Sequence, residues 1–266
     1  MISPPLFSVI VPTHQRALLL RRALRSIRSQ EGDASFEVIV VSDVPDAQTD
    51  TVCREELTDA DTYVRRSGPP GPSASRNLAM SLVQGQCILF LDDDDGWHPK
   101  CLASLLEQPA VRAGTPVYFN CSVVTERRPP SGPEFLSETE LKLDSRLTQD
   151  IYVKNQIPIP CFALPRHILR GIAFDPFMRA YEDWDFLLAI CDRQMPVHAP
   201  FLGSRVFKVY DDTTDRRGTS AKANDLNVMF DYLYVYHRHP APDLEVARKR
   251  TLLLRACGFE VAPEFL

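Results

Sequence analysis

Four carboxylates in a row, Asp92, Asp93, Asp94 and Asp95, follow directly on the apolar run CILFL in this 266-residue chain. Like charges at that spacing repel, and burial beside a strand makes ionisation costlier still. A hard divalent cation, Mg2+ or Mn2+, would offset the repulsion and keep positions open for water or phosphate. An EF-hand loop does not fit. With Gly96 as its invariant glycine, Leu91 and Leu102 fall where acidic ligands are required. The plain alternative is a solvated acidic turn.

The surrounding pattern says how such a turn is held. Residues 7–11 form a short β-branched run closed by Pro12, which reads as a buried strand. Residues 18–27 carry apolar side chains at helical spacing with Arg21, Arg22 and Arg25 between them, an amphipathic helix. Residues 36–41 read as a second strand followed by the turn SDVPD. A weak helix is expected over 49–57 and a third strand over 62–66. SGPPGPS is a loop, with Ser73 as the expected cap of a helix over 74–83. Residues 87–91 form the strand that leads into the aspartates, a helix resumes over 99–106, and 116–124 read as another strand. This alternation implies an α/β fold, Rossmann-like, with a mainly parallel central sheet and helices on both faces. Ligands of such sheets sit beyond the carboxyl ends of the strands. The turns at 12–16, 42–46 and 92–97 all fall there, so three polar segments converge on one rim.

The second half is less regular. Residues 126–150 read as an excursion, 157–165 as extended, 182–191 as a helix and 205–210 as a strand. The polar stretch 211–225 is a candidate lid, and 226–237 and 244–257 read as closing helices. The expected division is a first half over 1–125 that carries the polar rim and a second half over 126–266, within one continuous domain.

A formal net charge of -5 argues against general nucleic-acid binding. The seven cysteines show no C-x-x-C pair and lie mostly in apolar runs, as reduced core residues would. No stretch reaches the ~18 apolar residues of a membrane span. The expected compartment is the cytoplasm, with peripheral contact at the inner face of the membrane left open.

Four segments carry a family resemblance: FSVIVPTHQRALLLRRALRSIRSQ, FEVIVVSD, SASRNLAMSLVQGQCILFLDDDDGWHP and YEDWDF. In this order and at these separations the chain resembles the inverting family 2 glycosyltransferases of GT-A fold. The resemblance implies transfer of a sugar from a nucleoside diphosphate donor to a saccharide or lipid-linked saccharide acceptor, with Mn2+ or Mg2+. Asp94 becomes the expected metal ligand, with Asp92 and Asp93 on the ribose or a metal-bound water. The tetrad leaves that register open by one residue. Asp95 is expected at the helix entry. Asp43 corresponds to the acid that reads the base, where it could accept the N3–H of uracil, which favours UDP. Its alternative is a turn residue ahead of Pro45.

Pro12, Thr13, His14 and Arg16 resemble the segment lining the nucleotide pocket. Arg76, with Asn77, resembles an element that meets phosphate or donor sugar from a helix N-terminus. Asp183 corresponds to the catalytic base, with Glu182 and Trp184 on the acceptor side. Trp184 and Tyr181 are either an acceptor platform or core. One departure stands out. Relatives carry Y-R-x-H where this chain has FKVY, so Tyr210 stands at the histidine and Lys208 at the arginine. His237 and His239 are weak substitutes. A sugar nucleotidyltransferase and a non-catalytic binding module remain the alternative functions. The former lacks support, since VPTHQRA has neither a glycine-rich loop nor a lysine. The sugar, the acceptor linkage and the oligomeric state are not encoded in any motif.

Overall fold

The computed structural model describes residues 4–129, 131–210 and 226–266. In chain order its elements are β1 (Phe7–Thr13), α1 (Ala17–Arg28), β2 (Phe36–Ser42), α2 (Ala47–Glu56), β3 (Thr62–Arg65) and α3 (Pro72–Leu82). Then come β4 (Cys87–Phe90), β5 (Gly96–Trp97), α4 (Cys101–Glu107), α5 (Pro109–Arg112), β6 (Val117–Arg127), β7 (Glu134–Leu141) and β8 (Phe162–Pro165). The chain continues with α6 (Glu182–Cys191), β9 (Val197–Val209), α7 (Leu226–Arg238) and α8 (Leu244–Ala256). The 211–225 segment, expected as a lid, lies outside the described residues.

The nine strands among the described residues belong to one sheet, ordered β3-β2-β1-β4-β8-β6-β9-β5, with β7 added beside β6. The first four strands are parallel, with Phe7 of β1 level with Phe36 of β2 and Cys87 of β4. Their βα connections put all their carboxyl ends on one rim. Beyond β4 the sheet turns mixed: β8 runs antiparallel to both β4 and β6, while β6 and β9 are parallel. The parallel character read from the sequence therefore belongs to the first half.

Residues 126–150 correct the expectation of an irregular excursion. They contain β7, antiparallel to β6. Its sequence, EFLSETEL, is exposed along nearly its whole length, so it lacks the apolar alternation that reveals a half-buried strand. Ser73 is corrected too. The helix starts two residues earlier than expected, at Pro72, with Gly71 at the cap position and no side-chain cap. Proline is preorganised for the first helical position and needs no N–H there.

Two cores line the sheet. Leu20, Leu24 and Ile27 of α1, with Leu102 and Leu105 of α4, cover one face. Ala79 of α3, with Phe186, Leu187 and Ile190 of α6, covers the other. Helix α6 is apolar nearly all round, as a helix buried on several sides must be. Its second stripe, Trp184, Leu188 and Cys191, meets Tyr232, Val235 and Tyr236 of α7 and Val246 and Leu254 of α8. So α7 and α8 grip the helix that begins with Glu182 and Asp183. All seven cysteines are free thiols and six are buried. Among the described residues, no helix is long and apolar enough to cross a membrane.

Candidate active site

The rim assembles from strand ends. Thr13 closes β1, Ser42 closes β2, and the tetrad follows β4. Pro12 is buried within β1 beside Val41, so it shapes the rim from below. Asp93 is buried, and its Oδ2 accepts from Thr13 Oγ1 at 2.8 Å and from the His14 amide at 3.4 Å. Arg16 Nη1 stands 3.2 Å from its other oxygen. Burial lifts the Asp93 pKa to about 6. Asp94 adds to the rise, while Arg16 and Thr13 oppose it. Asp95 turns inward and accepts from the Phe207 amide at 2.9 Å. It ties the tetrad to β9 rather than capping a helix.

Asp43 is 6% exposed and uses both oxygens. Oδ1 meets His14 Nδ1 at 2.6 Å, and Oδ2 accepts from the Gly71 amide at 2.7 Å. Gly71 has φ 151° and ψ 147°, a region open in practice only to glycine. The SGPPGPS loop therefore lets a backbone N–H reach Asp43 and start α3 in the same step. His14 keeps 48% of its side chain exposed, so its ring faces outward over the pocket wall.

Arg76 joins the acidic motifs. It is 4% exposed. Nη2 donates to Asp92 Oδ1 at 2.7 Å, and Nη1 donates to Glu182 Oε1 at 3.2 Å. Burial works against its charge, yet Asp92 and Glu182 hold its pKa above the ordinary arginine value. Next to it, Asn77 fixes α3 by a two-way bond to the Phe174 backbone, at 2.8 and 2.9 Å. Asp183 accepts from the Trp184 amide at 2.8 Å and from Asn155 Nδ2 at 3.4 Å. Its pKa rises to about 6, through burial first and the neighbouring Glu182 second, with Arg76 opposing. A carboxylate poised there can take a proton near neutral pH.

Among the described residues, two of the three non-glycine residues at positive φ stand in these loops: Gln15 at 50°, after His14, and Tyr181 at 62°, before Glu182. Such conformations cost about 1–3 kcal/mol each and persist where surrounding structure dictates them. Trp184 is corrected from an acceptor-side position to core. It is fully buried, with Nε1 bonded to the Ile151 carbonyl at 2.6 Å. Asp185 is buried as well, held 3.0 Å from both His239 Nε2 and Arg238 Nη1. That pairing removes His239 from any metal role and locks α7 onto α6. Tyr210, at the family's histidine position, is mostly exposed beneath the Arg127 guanidinium.

The donor set fits one kind of cation site. Among the described residues, no group of three or more His, Cys, Asp and Glu comes together to enclose an ion. Asp94, 15% exposed at the rim, offers a hard oxygen. Mg2+-like ions bind through one or two carboxylates plus substrate phosphates and waters. The residues fit an ion shared with a diphosphate rather than a closed cage.

Sequence reading missed several partners. Arg22, Glu126, Arg128 and Asn155 all reach the site or its rear wall. Arg22 lies in the first of the four segments but reads there as the polar face of a helix; Glu126, Arg128 and Asn155 lie in no motif, and only the pairing of a buried acid with scattered arginines could have flagged them.

The mixed α/β fold thus carries an acidic rim that Arg76 bridges to a second acidic pair. The chain belongs to Glycosyl transferase family 2, whose model matches residues 8–170. It is 26% identical over 255 residues to an uncharacterized glycosyltransferase of Haemophilus influenzae, covering 91% of this chain and 80% of that one. It is 25% identical over 223 residues to the GalNAc(5)-diNAcBac-PP-undecaprenol beta-1,3-glucosyltransferase of Campylobacter jejuni, covering 82% and 70%. Its fold is also that of S. aureus TarS 1-349 in complex with UDP-GlcNAc, with TM-score 0.63 and 19% identity over 96% of this chain and 73% of that one.

Proposed function

We propose that the protein transfers a sugar from a nucleoside diphosphate, with UDP as carrier, to a hydroxyl of a saccharide or lipid-linked saccharide, inverting the anomeric centre. The carrying observation is the Arg76 bridge. It sets Asp92 and Glu182, from motifs far apart in sequence, on one guanidinium. Donor-side and acceptor-side chemistry are then neighbours, as a single displacement requires.

In this reading Asp183 takes the acceptor proton as the hydroxyl attacks. Asn155 and the Trp184 amide orient its carboxylate. Asp43 accepts the uracil N3–H, and His14, held by Asp43, packs against the base. Thr13 and Arg16 fix Asp93 toward the ribose. Arg76 offsets charge on the diphosphate side. A bound Mn2+ or Mg2+, held by Asp94, would neutralise the departing diphosphate. The undecaprenol-linked saccharide in the name of the Campylobacter jejuni relative favours a role in polysaccharide or glycolipid assembly.

The test is a thermal-shift panel of UDP, GDP, CDP and dTDP, with and without Mn2+, followed by donor turnover. Binding only to the native state raises its apparent stability. UDP with Mn2+ should give the largest shift, and UDP-sugars should turn over. Equal shifts for CDP, or none that Mn2+ enlarges, would reject the assigned roles of Asp43 and Asp94.

A further inference from the structure

Asp94 faces the rim with one of its two oxygens, Oδ2, already held by arginines. Arg128 Nη1 lies 3.2 Å from its Oδ2, and Arg16 Nη1 lies 3.5 Å from the same oxygen. Arg128 reaches in from just beyond β6 and is anchored behind by Nε on Glu126 Oε1 at 2.7 Å. Glu126 is 2% exposed and takes Arg22 Nη1 on its other oxygen at 2.6 Å. Arg22 in turn donates from Nη2 to the Asp94 carbonyl at 2.7 Å and lies 3.6 Å over the Phe207 ring. The clamp thus has a fixed rear wall of one buried glutamate, one arginine and one aromatic ring. Its front is less settled. Among the described residues, Arg128 Nη2 is buried without an acceptor. The pose lacks one hydrogen bond, which lowers the cost of leaving it.

A guanidinium and a divalent cation compete for one carboxylate oxygen, because the two positive charges repel at that range. A diphosphate changes the balance twice over. Its oxygens are a better, two-point partner for an arginine than one carboxylate oxygen. They also complete the ligand set of a hard ion.

We infer that Arg128 is a latch on Asp94: it holds the carboxylate against the cation until a nucleoside diphosphate draws the guanidinium away. Metal and nucleotide then bind as a pair, and metal alone binds weakly. Arg128 acts through Asp94 and is a positioning residue. The inference rests on the proposed role of Asp94 as the ion's protein ligand.

Mn2+ titrations of the full chain followed by electron paramagnetic resonance test it, with and without saturating UDP. Wild type should bind Mn2+ at least about tenfold more tightly with UDP than without, a coupling that is reciprocal between the two ligands. Arg128→Gln should bind Mn2+ alone about tenfold more tightly than wild type, so the coupling shrinks by that factor. Arg128→Lys keeps the charge but loses the Glu126 anchor. It should shift the same way by a few-fold, and it carries the test if circular dichroism shows Arg128→Gln misfolded. Arg205→Gln removes a positive charge paired to Glu138 instead and should leave Mn2+ binding unchanged. Wild-type Mn2+ affinity without UDP in both Arg128 variants, while UDP still tightens Mn2+ binding, overturns the latch and leaves the Asp94 role standing. Unchanged Mn2+ binding with UDP in Asp94→Asn overturns both.

Discussion

Replacing Asp183 with asparagine should slow transfer severely and at the same time stabilise the protein at neutral pH. Its pKa rises from 3.8 to about 6, burial being the first cause and Glu182 the second. A shift of that size means that keeping the carboxylate ionised in the fold costs about 3 kcal/mol relative to the unfolded chain. The residue retains some solvent contact, which trims the figure. The new Nδ2 would also face Asn155 Nδ2, a donor now 3.4 Å from Oδ2. A gain of about 1–2 kcal/mol is the expectation, or about 2–4 °C in Tm for a chain of this size.

The sign follows from the raised pKa. Below the unfolded value, both states are protonated and the acid costs nothing. As pH rises from about 4 through about 6, the unfolded state ionises first and wild-type stability is lost. The asparagine variant lacks that loss. Calorimetric scans at pH 4, 6 and 8 should show the Tm difference growing to pH 6 and then levelling. Transfer should fall by about a hundredfold to ten-thousandfold, the range of general-base contributions. A variant less stable than wild type at pH 8, or a Tm difference that ignores pH, would refute the reasoning.

The wild-type enzyme should show kcat/KM rising with pH to a plateau, with its midpoint near 6, because the base must be unprotonated to accept the acceptor's proton. A flat profile from pH 5 to 8 would remove Asp183 from that role. Arg76→Met should lower stability by about 2–4 kcal/mol in urea unfolding, since Asp92 and Glu182 lose their shared partner. The lower end applies if Asp92, with 34% of its side chain exposed, recovers water. Glu37→Ala, at the opposite end of the sheet, removes the acceptor of Ser8 Oγ and of the Gln84 and Gly85 amides. It should cost about 2 kcal/mol or more and leave kcat unchanged at a temperature where both proteins are folded. A drop in kcat would mean that the two ends of the sheet are coupled.

The elements that carry strong apolar patterns were legible in the residues. Strands β1, β2 and β4 are short β-branched or apolar runs, and α1 buries Leu20, Ala23, Leu24 and Ile27 at helical spacing. Strand β7 was not legible, because an exposed edge strand gains by carrying charge and loses nothing by lacking alternation. The acids of the site announced themselves by crowding. Only some of their partners did. Arg16 and Arg76 stand in the quoted segments, but Arg22 and Arg128 each sit in an Arg-Arg pair, and such arginines look like solvated surface until the fold brings them to the tetrad.

Those partners change how the tetrad's charge is balanced. Sequence reasoning assigned the whole offset to a metal ion. In the fold, Asp92 has Arg76, Asp93 has Thr13 and Arg16, Asp94 has Arg16 and Arg128, and Asp95 has the Phe207 amide. The repulsion is thus met without an ion, and folding need not wait for one. Yet the offset is uneven. Asp93 still has its pKa lifted to about 6, and Gln15 and Tyr181 hold strained backbone beside the acids. At the far end of the same sheet, Glu37 is buried with three hydrogen-bond donors and no strained neighbour among the described residues. One sheet therefore carries a settled end and a stressed end. On the proposed function, the stress sits where arriving phosphate, cation and hydroxyl would relieve it, so that ligands complete the rim while the base of the sheet keeps the fold meanwhile.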